Sequence, residues 1–158
     1  MAQVKLGYPL DGLKVLDFSR VLAGPFASRM LCDLGAEVVK VEPPEGDNSR
    51  HWGKMTGGVS GYFNMANAGK RSISIDLRAD GAQELVLALA AKADVVTENF
   101  RPDVMPRLSI GYERLAALNP RLIMLSISGF GRDGPESQRP AYAPIVHAEL
   151  GLIDRTFR

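Results

Sequence analysis

Apolar, β-branched runs recur along the chain at residues 14–18, 37–41, 72–77, 94–97 and 122–127. Each spans four to six positions and most are bounded by Gly, Pro, Asn or Asp, the pattern of short buried strands. Helical periodicity fills most of the gaps. The clearest case is 82–92 (AQELVLALAAK), with Asp80 placed to cap it and Lys92 near its carboxyl end. A second helix is predicted over 111–119, closed by Asn119-Pro120, and a third over 26–34 after a turn at Gly24-Pro25. Strand and helix alternating in this way predict an α/β fold, a Rossmann-like parallel sheet with helices on both faces. Two irregular stretches interrupt it, 43–60 and 129–144, both rich in Gly and Pro. Loops of that length are uncommon in compact domains and often functional.

Composition narrows the partners. A chain of 158 residues fits one domain with a real core. With 19 Lys+Arg against 18 Asp+Glu, nothing suggests a polyelectrolyte partner, so no nucleic acid is expected. A local basic pocket for one anionic ligand remains compatible. The single cysteine, Cys32, is expected to act as a small buried apolar residue, and the lack of any intrachain disulfide suits a reducing cytosol. Residues 1–6 lack the apolar core of a signal peptide, and no apolar run approaches the ~20 residues of a membrane span. The expected location is cytoplasmic, without membrane. His51 and His147 have no second ligand at metal-binding spacing, so no metal is expected.

Candidate chemistry gathers where strands end, because carboxyl ends of parallel strands face the ligand crevice. Arg20 follows the first strand, and Val21, Leu22 and Ala23 lie beside it in the turn. Lys70 and Arg71 precede the third strand, while Arg78 lies just beyond its other end; strand geometry favours Arg78 over Lys70 as a ligand contact. Asn99 and Phe100 end the fourth strand, and Arg107 follows within the next helix. Taken on its residues alone, Asn99 reads better as a helix cap. Ser128, Gly129, Phe130 and Gly131 end the fifth strand, with glycines that permit close backbone approach. Asp17 reads as a structural strand-end acid.

Four blocks in order, 15–26 (VLDFSRVLAGPF) with 34–42 (LGAEVVKVE), 67–76 (NAGKRSISID), 94–102 (DVVTENFRP) and 128–135 (SGFGRDGP), resemble the amino-terminal portion of the family III CoA-transferases, the CaiB/BaiF and formyl-CoA transferase-like superfamily. The resemblance covers nearly the whole chain. It implies transfer of coenzyme A between an acyl-CoA and a carboxylic acid, with CoA or acyl-CoA as substrate and no tightly bound cofactor. It also implies that Arg20 to Ala23, Ile75 and Arg78 lie along the coenzyme. Asn99, Phe100, Arg101, Arg107 and the Ser128–Gly131 loop are implied to do the same. Family members resemble one another in using an aspartate nucleophile, the acid of a Gly-Asp pair, which is expected beyond Arg158. Asp154 comes too early and lacks the preceding glycine. Residues 1–158 are thus expected to be a CoA-binding domain, a fragment of a longer chain that forms an interlocked homodimer in full length.

Alternatives stay open. A 2-methylacyl-CoA racemase of the same superfamily would place a histidine within 140–144, where this chain has Tyr142 and Ala143; a tyrosine, with its high reference pKa, is a poor replacement. A non-catalytic CoA-binding fragment is a further alternative. A nicotinamide-binding domain is disfavoured, because the first turn lacks Gly-x-Gly-x-x-Gly.

Overall fold

The computed structural model describes residues 7–156. Strands β1 (Lys14–Asp17) and β2 (Glu37–Glu42) flank helix α1 (Ala23–Asp33) in sequence. A short hairpin follows, β3 (Met55–Thr56) and β4 (Val59–Ser60), then α2 (Gly61–Asn67), β5 (Arg71–Ser74) and α3 (Ala82–Ala90). The chain continues through β6 (Val95–Glu98), α4 (Val104–Arg107), α5 (Tyr112–Leu118), β7 (Ile123–Ser126), α6 (Ala143–Glu149) and α7 (Leu152–Thr156). Five strands form one parallel sheet in the order β5-β2-β1-β6-β7. The direction of winding reverses between β1 and β6, and a crevice opens there beyond the carboxyl ends.

All five expected strands are present within a few residues of their sequence limits. Successive side chains alternate between faces, so each strand contributes to two layers. Leu16, Val41 and Val96 meet Val86 and Ala90 of α3, Met105 of α4 and Leu115 of α5. Val15, Val38 and Val95 face the other way, against Leu31 and Cys32 of α1. Cys32 is half-buried in that second layer.

Several local expectations are corrected. Helix α1 begins at Ala23, so Gly24 and Pro25 form its first turn instead of a turn before it; proline is tolerated there because the first N–H groups have no intrahelical acceptor. Asp80 does not cap α3. The cap is Gly81, in the left-handed conformation with no side-chain bond. The 43–60 stretch is not simply a loop: it holds a 3-10 turn at Asn48–His51, capped by Asp47, and the β3–β4 hairpin.

Within α5, Leu115 is 1% exposed and Leu118 is 51% exposed. Leu115→Ala should cost about 2–5 kcal/mol and Leu118→Ala no more than about 0.5 kcal/mol, as read by urea unfolding. Equal losses would mean that α5 does not pack as described.

Candidate functional site

Strand register builds the floor of the site. Asp17 stands opposite Lys40 on β2 and Thr97 on β6, placing three polar side chains in a row where the strands end. All three are buried. Asp17 accepts from the Ser19 N–H at 2.9 Å, the Ser28 hydroxyl at 2.6 Å, the Thr97 hydroxyl at 2.7 Å and Lys70 Nζ at 3.0 Å, besides the Ser19 hydroxyl. Burial pushes the Asp17 carboxyl up, but Lys70, Lys40 and the two serines outweigh it and hold it below the usual carboxylate range. Burial also holds the Lys70 ammonium below the ordinary lysine range, against the pull of Asp17. The three N–H donors of Lys70 are shared among four acceptors, Asp17 and, within hydrogen-bond distance, Pro25 O, Ser28 Oγ and Asn67 Oδ1. Lys40 donates to Ser19 O at 2.6 Å and pairs with Asp47 at 3.0 Å.

Above this floor runs the turn from Ser19 to Ala23. Asn99 clamps it, accepting the Arg20 N–H at 2.7 Å and donating to the Arg20 carbonyl at 2.8 Å. Asn99 is therefore not a helix cap; its amide joins the ends of β1 and β6 where the sheet ladder stops. Val21 has φ +69°, and its N–H donates to the Asp47 carboxylate at 3.0 and 3.3 Å. Gly24 lets α1 approach closely: a Cβ there would stand 2.2 Å from Ser19 Cβ and 3.3 Å from Asn99 Cγ.

Two cavities open over the turn. The larger, about 630 Å³, is lined by Arg20, Ile75, Arg78, Phe100 and Arg107, with Phe18 and Val41 among its apolar walls. Arg20 and Arg78 make no side-chain ion pair among the described residues, whereas Arg107 pairs with Asp103 at 3.1 Å on the surface. The smaller, about 300 Å³, is lined by Ala23, Asn99, Phe100, Arg101, Ser128 and Gly129, together with Arg139, Ala141 and Tyr142. Phe100 lines both. None of the described residues around the smaller cavity is a carboxylate. Gly129 is required where it lies, because a Cβ would fall 1.7 Å from Ala141 Cβ. Arg132 anchors the loop that follows, donating to Glu98 Oε1 at 2.7 Å and to the Pro102 carbonyl at 2.9 Å.

A Rossmann-like sheet with Arg20 and Arg78 past its strand ends, neither in a side-chain ion pair among the described residues, suits an anionic ligand but does not name one. Residues 10–157 match the sequence profile of CoA-transferase family III. The chain belongs to that family. An acetyl-CoA:oxalate CoA-transferase from Acetobacter aceti is 49% identical over 149 residues, which cover 94% of this chain and 38% of that protein. The human succinyl-CoA:glutarate CoA-transferase is 43% identical over 150 residues, covering 94% of this chain and 34% of its own. A CaiB/BaiF family protein from Brucella suis has a crystal structure that superposes with a TM-score of 0.87 at 46% identity, covering 94% of this chain and 40% of that one. The chain thus spans 34–40% of the length of these family III relatives.

The residues singled out for the family site divide between the two cavities. Arg20, Ile75, Arg78, Phe100 and Arg107 meet in the larger. Ala23, Asn99, Phe100, Arg101, Ser128 and Gly129 meet in the smaller. Val21 and Leu22 form the turn between without lining either, and neither do Phe130 and Gly131. Phe130 instead lies 5.2 Å beneath the Arg139 guanidinium, and Gly131 takes φ +82°. Lys70 and Arg71 are both occupied, Lys70 in the buried network and Arg71 on Glu37. His51 ends the 3-10 turn and His147 lies exposed on α6. Sequence reasoning missed Lys40, Asp47, Glu98 and Arg132. Only the charge within the apolar run at 40, and the one directly after a run at 98, could have signalled buried partners.

Glu42 takes two bonds of 2.6 Å from Arg50, one of 2.5 Å from Ser72 and one of 3.0 Å from the Asp47 N–H. Burial raises its pKa, but these donors outweigh it and pull the group from 4.5 to about 2. Asp47 is likewise lowered: burial opposes, and the Ser49 N–H and Lys40 prevail. A carboxylate depressed in the fold contributes stability that is complete above its unfolded pKa and lost as pH falls through the folded value. Stability should therefore hold near neutrality and decline from about pH 4.5 toward pH 2, with Glu42 worth about 3 kcal/mol of that change. Glu42→Gln should flatten the acid limb in pH-dependent urea unfolding; an unchanged limb would remove Glu42 from the network. Gly24→Ala, which forces α1 off Ser19, should destabilise by about 1–3 kcal/mol in the same assay, and no loss would contradict the close approach.

Proposed function

We propose that this chain is the coenzyme-binding portion of an enzyme that transfers CoA between an acyl-CoA and a carboxylic acid. One observation carries the reading: Arg20, Arg78 and Arg107 converge on one cavity, and Phe100 links it to a second cavity bounded by Asn99 and Gly129. An elongated ligand, anionic at one end and a thioester at the other, fits that division. The arginines supply charge-assisted contacts to phosphates, which are favoured by their fork of N–H donors. Phe100 offers a ring face to the connecting arm. The glycine backbone at 129 leaves room for a thioester carbonyl and the group attacking it.

Covalent transfer through a carboxylate splits one acyl exchange into two easier steps. The smaller cavity has no carboxylate among its described lining residues, so in this reading the nucleophilic aspartate comes from outside residues 7–156. The described residues bind and orient; the acyl group is received elsewhere. The full-length protein is read as an interlocked homodimer. In keeping with that, the edge strand β7 exposes Ile123 and Leu125.

Calorimetric titration of CoA into the chain tests the proposal. Arg20→Ala and Arg78→Ala should each weaken binding about tenfold or more, since a bond to a charged group is worth about 1.5–3 kcal/mol. Pantetheine, which has no phosphates, should bind the parent and both variants alike. CoA affinity that ignores both substitutions would remove these arginines from the site, and an absence of CoA binding would defeat the reading as a whole.

A further inference from the structure

The geometry points to Asp47 as the positioning residue of the coenzyme turn: its carboxylate holds Val21 in a left-handed conformation that presents Arg20 to the larger cavity and Ala23 to the smaller. This rests on the coenzyme-binding reading above. A positive φ is unfavourable for any side chain and most of all for a β-branched one, so Val21 at +69° needs an external hold. That hold is visible. The Val21 N–H donates to both Asp47 oxygens, from a residue 26 positions away in sequence.

Asp47 is itself fixed on every side. It is 1% exposed and accepts from the Ser49 N–H at 3.0 Å and the Ser49 hydroxyl at 2.9 Å, while Lys40 pairs with it at 3.0 Å. Its own N–H donates to Glu42, which Arg50 grips through two bonds. On the opposite side, Asn99 takes both backbone polar groups of Arg20. Three consecutive backbone groups of the turn, two at residue 20 and one at residue 21, are thus fixed by side chains from other segments. The direction in which Arg20 leaves the backbone is no longer free. Preorganisation of this kind raises affinity by removing the ordering cost from the binding step.

A merely structural Asp47, present to neutralise Lys40, predicts something different. The separating experiment uses a glycine, which adopts positive φ without assistance. CoA affinity is measured by calorimetry on the parent chain, Asp47→Asn and Asp47→Asn/Val21→Gly, with thermal unfolding followed in parallel. Asp47→Asn should raise the CoA Kd about tenfold. The double variant should return to within about threefold of the parent, although the Lys40 pair remains broken and its Tm stays low. Should Asp47→Asn fail to fold, Val21→Pro provides the same test with the ion pair intact, because proline cannot take positive φ and has no N–H to donate. It too should bind CoA at least tenfold more weakly. Parent-like affinity in Asp47→Asn or in Val21→Pro would overturn the assignment, as would a loss that glycine does not recover. Failure of the parent to bind CoA would defeat the coenzyme reading instead.

Discussion

The ion pair between Asp17 and Lys70 is the interaction on which the site depends. Asp17 belongs to β1, and its partners come from the following turn, from α1, from β6 and from the segment before β5. One carboxylate therefore ties four separate pieces of chain to the carboxyl edge of the sheet. Removing two charges from water is costly, and a buried pair is weak evidence of net stabilisation. What it supplies here is geometry: each donor has one place to stand, and no buried side-chain polar atom among the described residues lacks a partner.

Behind the turn, charge is compensated. Asp17, Lys70, Lys40, Asp47, Glu42 and Arg50 form a nearly continuous set of opposite neighbours. In front of the turn, Arg20 and Arg78 make no side-chain ion pair among the described residues, although Glu42, Glu45 and Asp76 line the same cavity. The contrast follows from position in the fold. Side chains on the α1 face of the strand ends are enclosed and must be paired, whereas those past the strand ends open into the crevice and can wait for a ligand. Asn99 and the N–H of Val21 stand on the boundary, where the regular sheet bonding ends and side chains take over the backbone groups.

The sheet was legible because five short β-branched runs, separated by helical periodicity, admit few other folds. The strand ends were harder. Lys40 sits inside an apolar run and Glu98 directly after one, and a linear reading assigns such residues to an exposed edge. Their partners, Asp47 and Arg132, lie in the irregular stretches, where no periodicity reveals what a side chain faces. Asn99 illustrates the same gap. Local preference favoured a cap, and a contact spanning 79 positions decided otherwise. The long 43–60 stretch proved structural as well as irregular, because it delivers Asp47 beneath the turn. The placement of Arg20 and Arg78 beyond the carboxyl ends of strands was legible from topology alone.

Among the described residues, every cation lining the two cavities is an arginine, and neither cavity is lined by a lysine. A thioester is an electrophile that a free amine attacks to give an amide, and such an amide is not reversed by water at neutral pH on a useful timescale. A guanidinium stays protonated in proteins and has no comparable lone pair to offer. The two lysines nearest the turn in the network, Lys40 and Lys70, are enclosed and bonded to Asp47 and Asp17. In the coenzyme-binding reading proposed above, cavities whose described lining offers guanidinium groups and no amine would hold a highly charged thioester without losing it to amide formation.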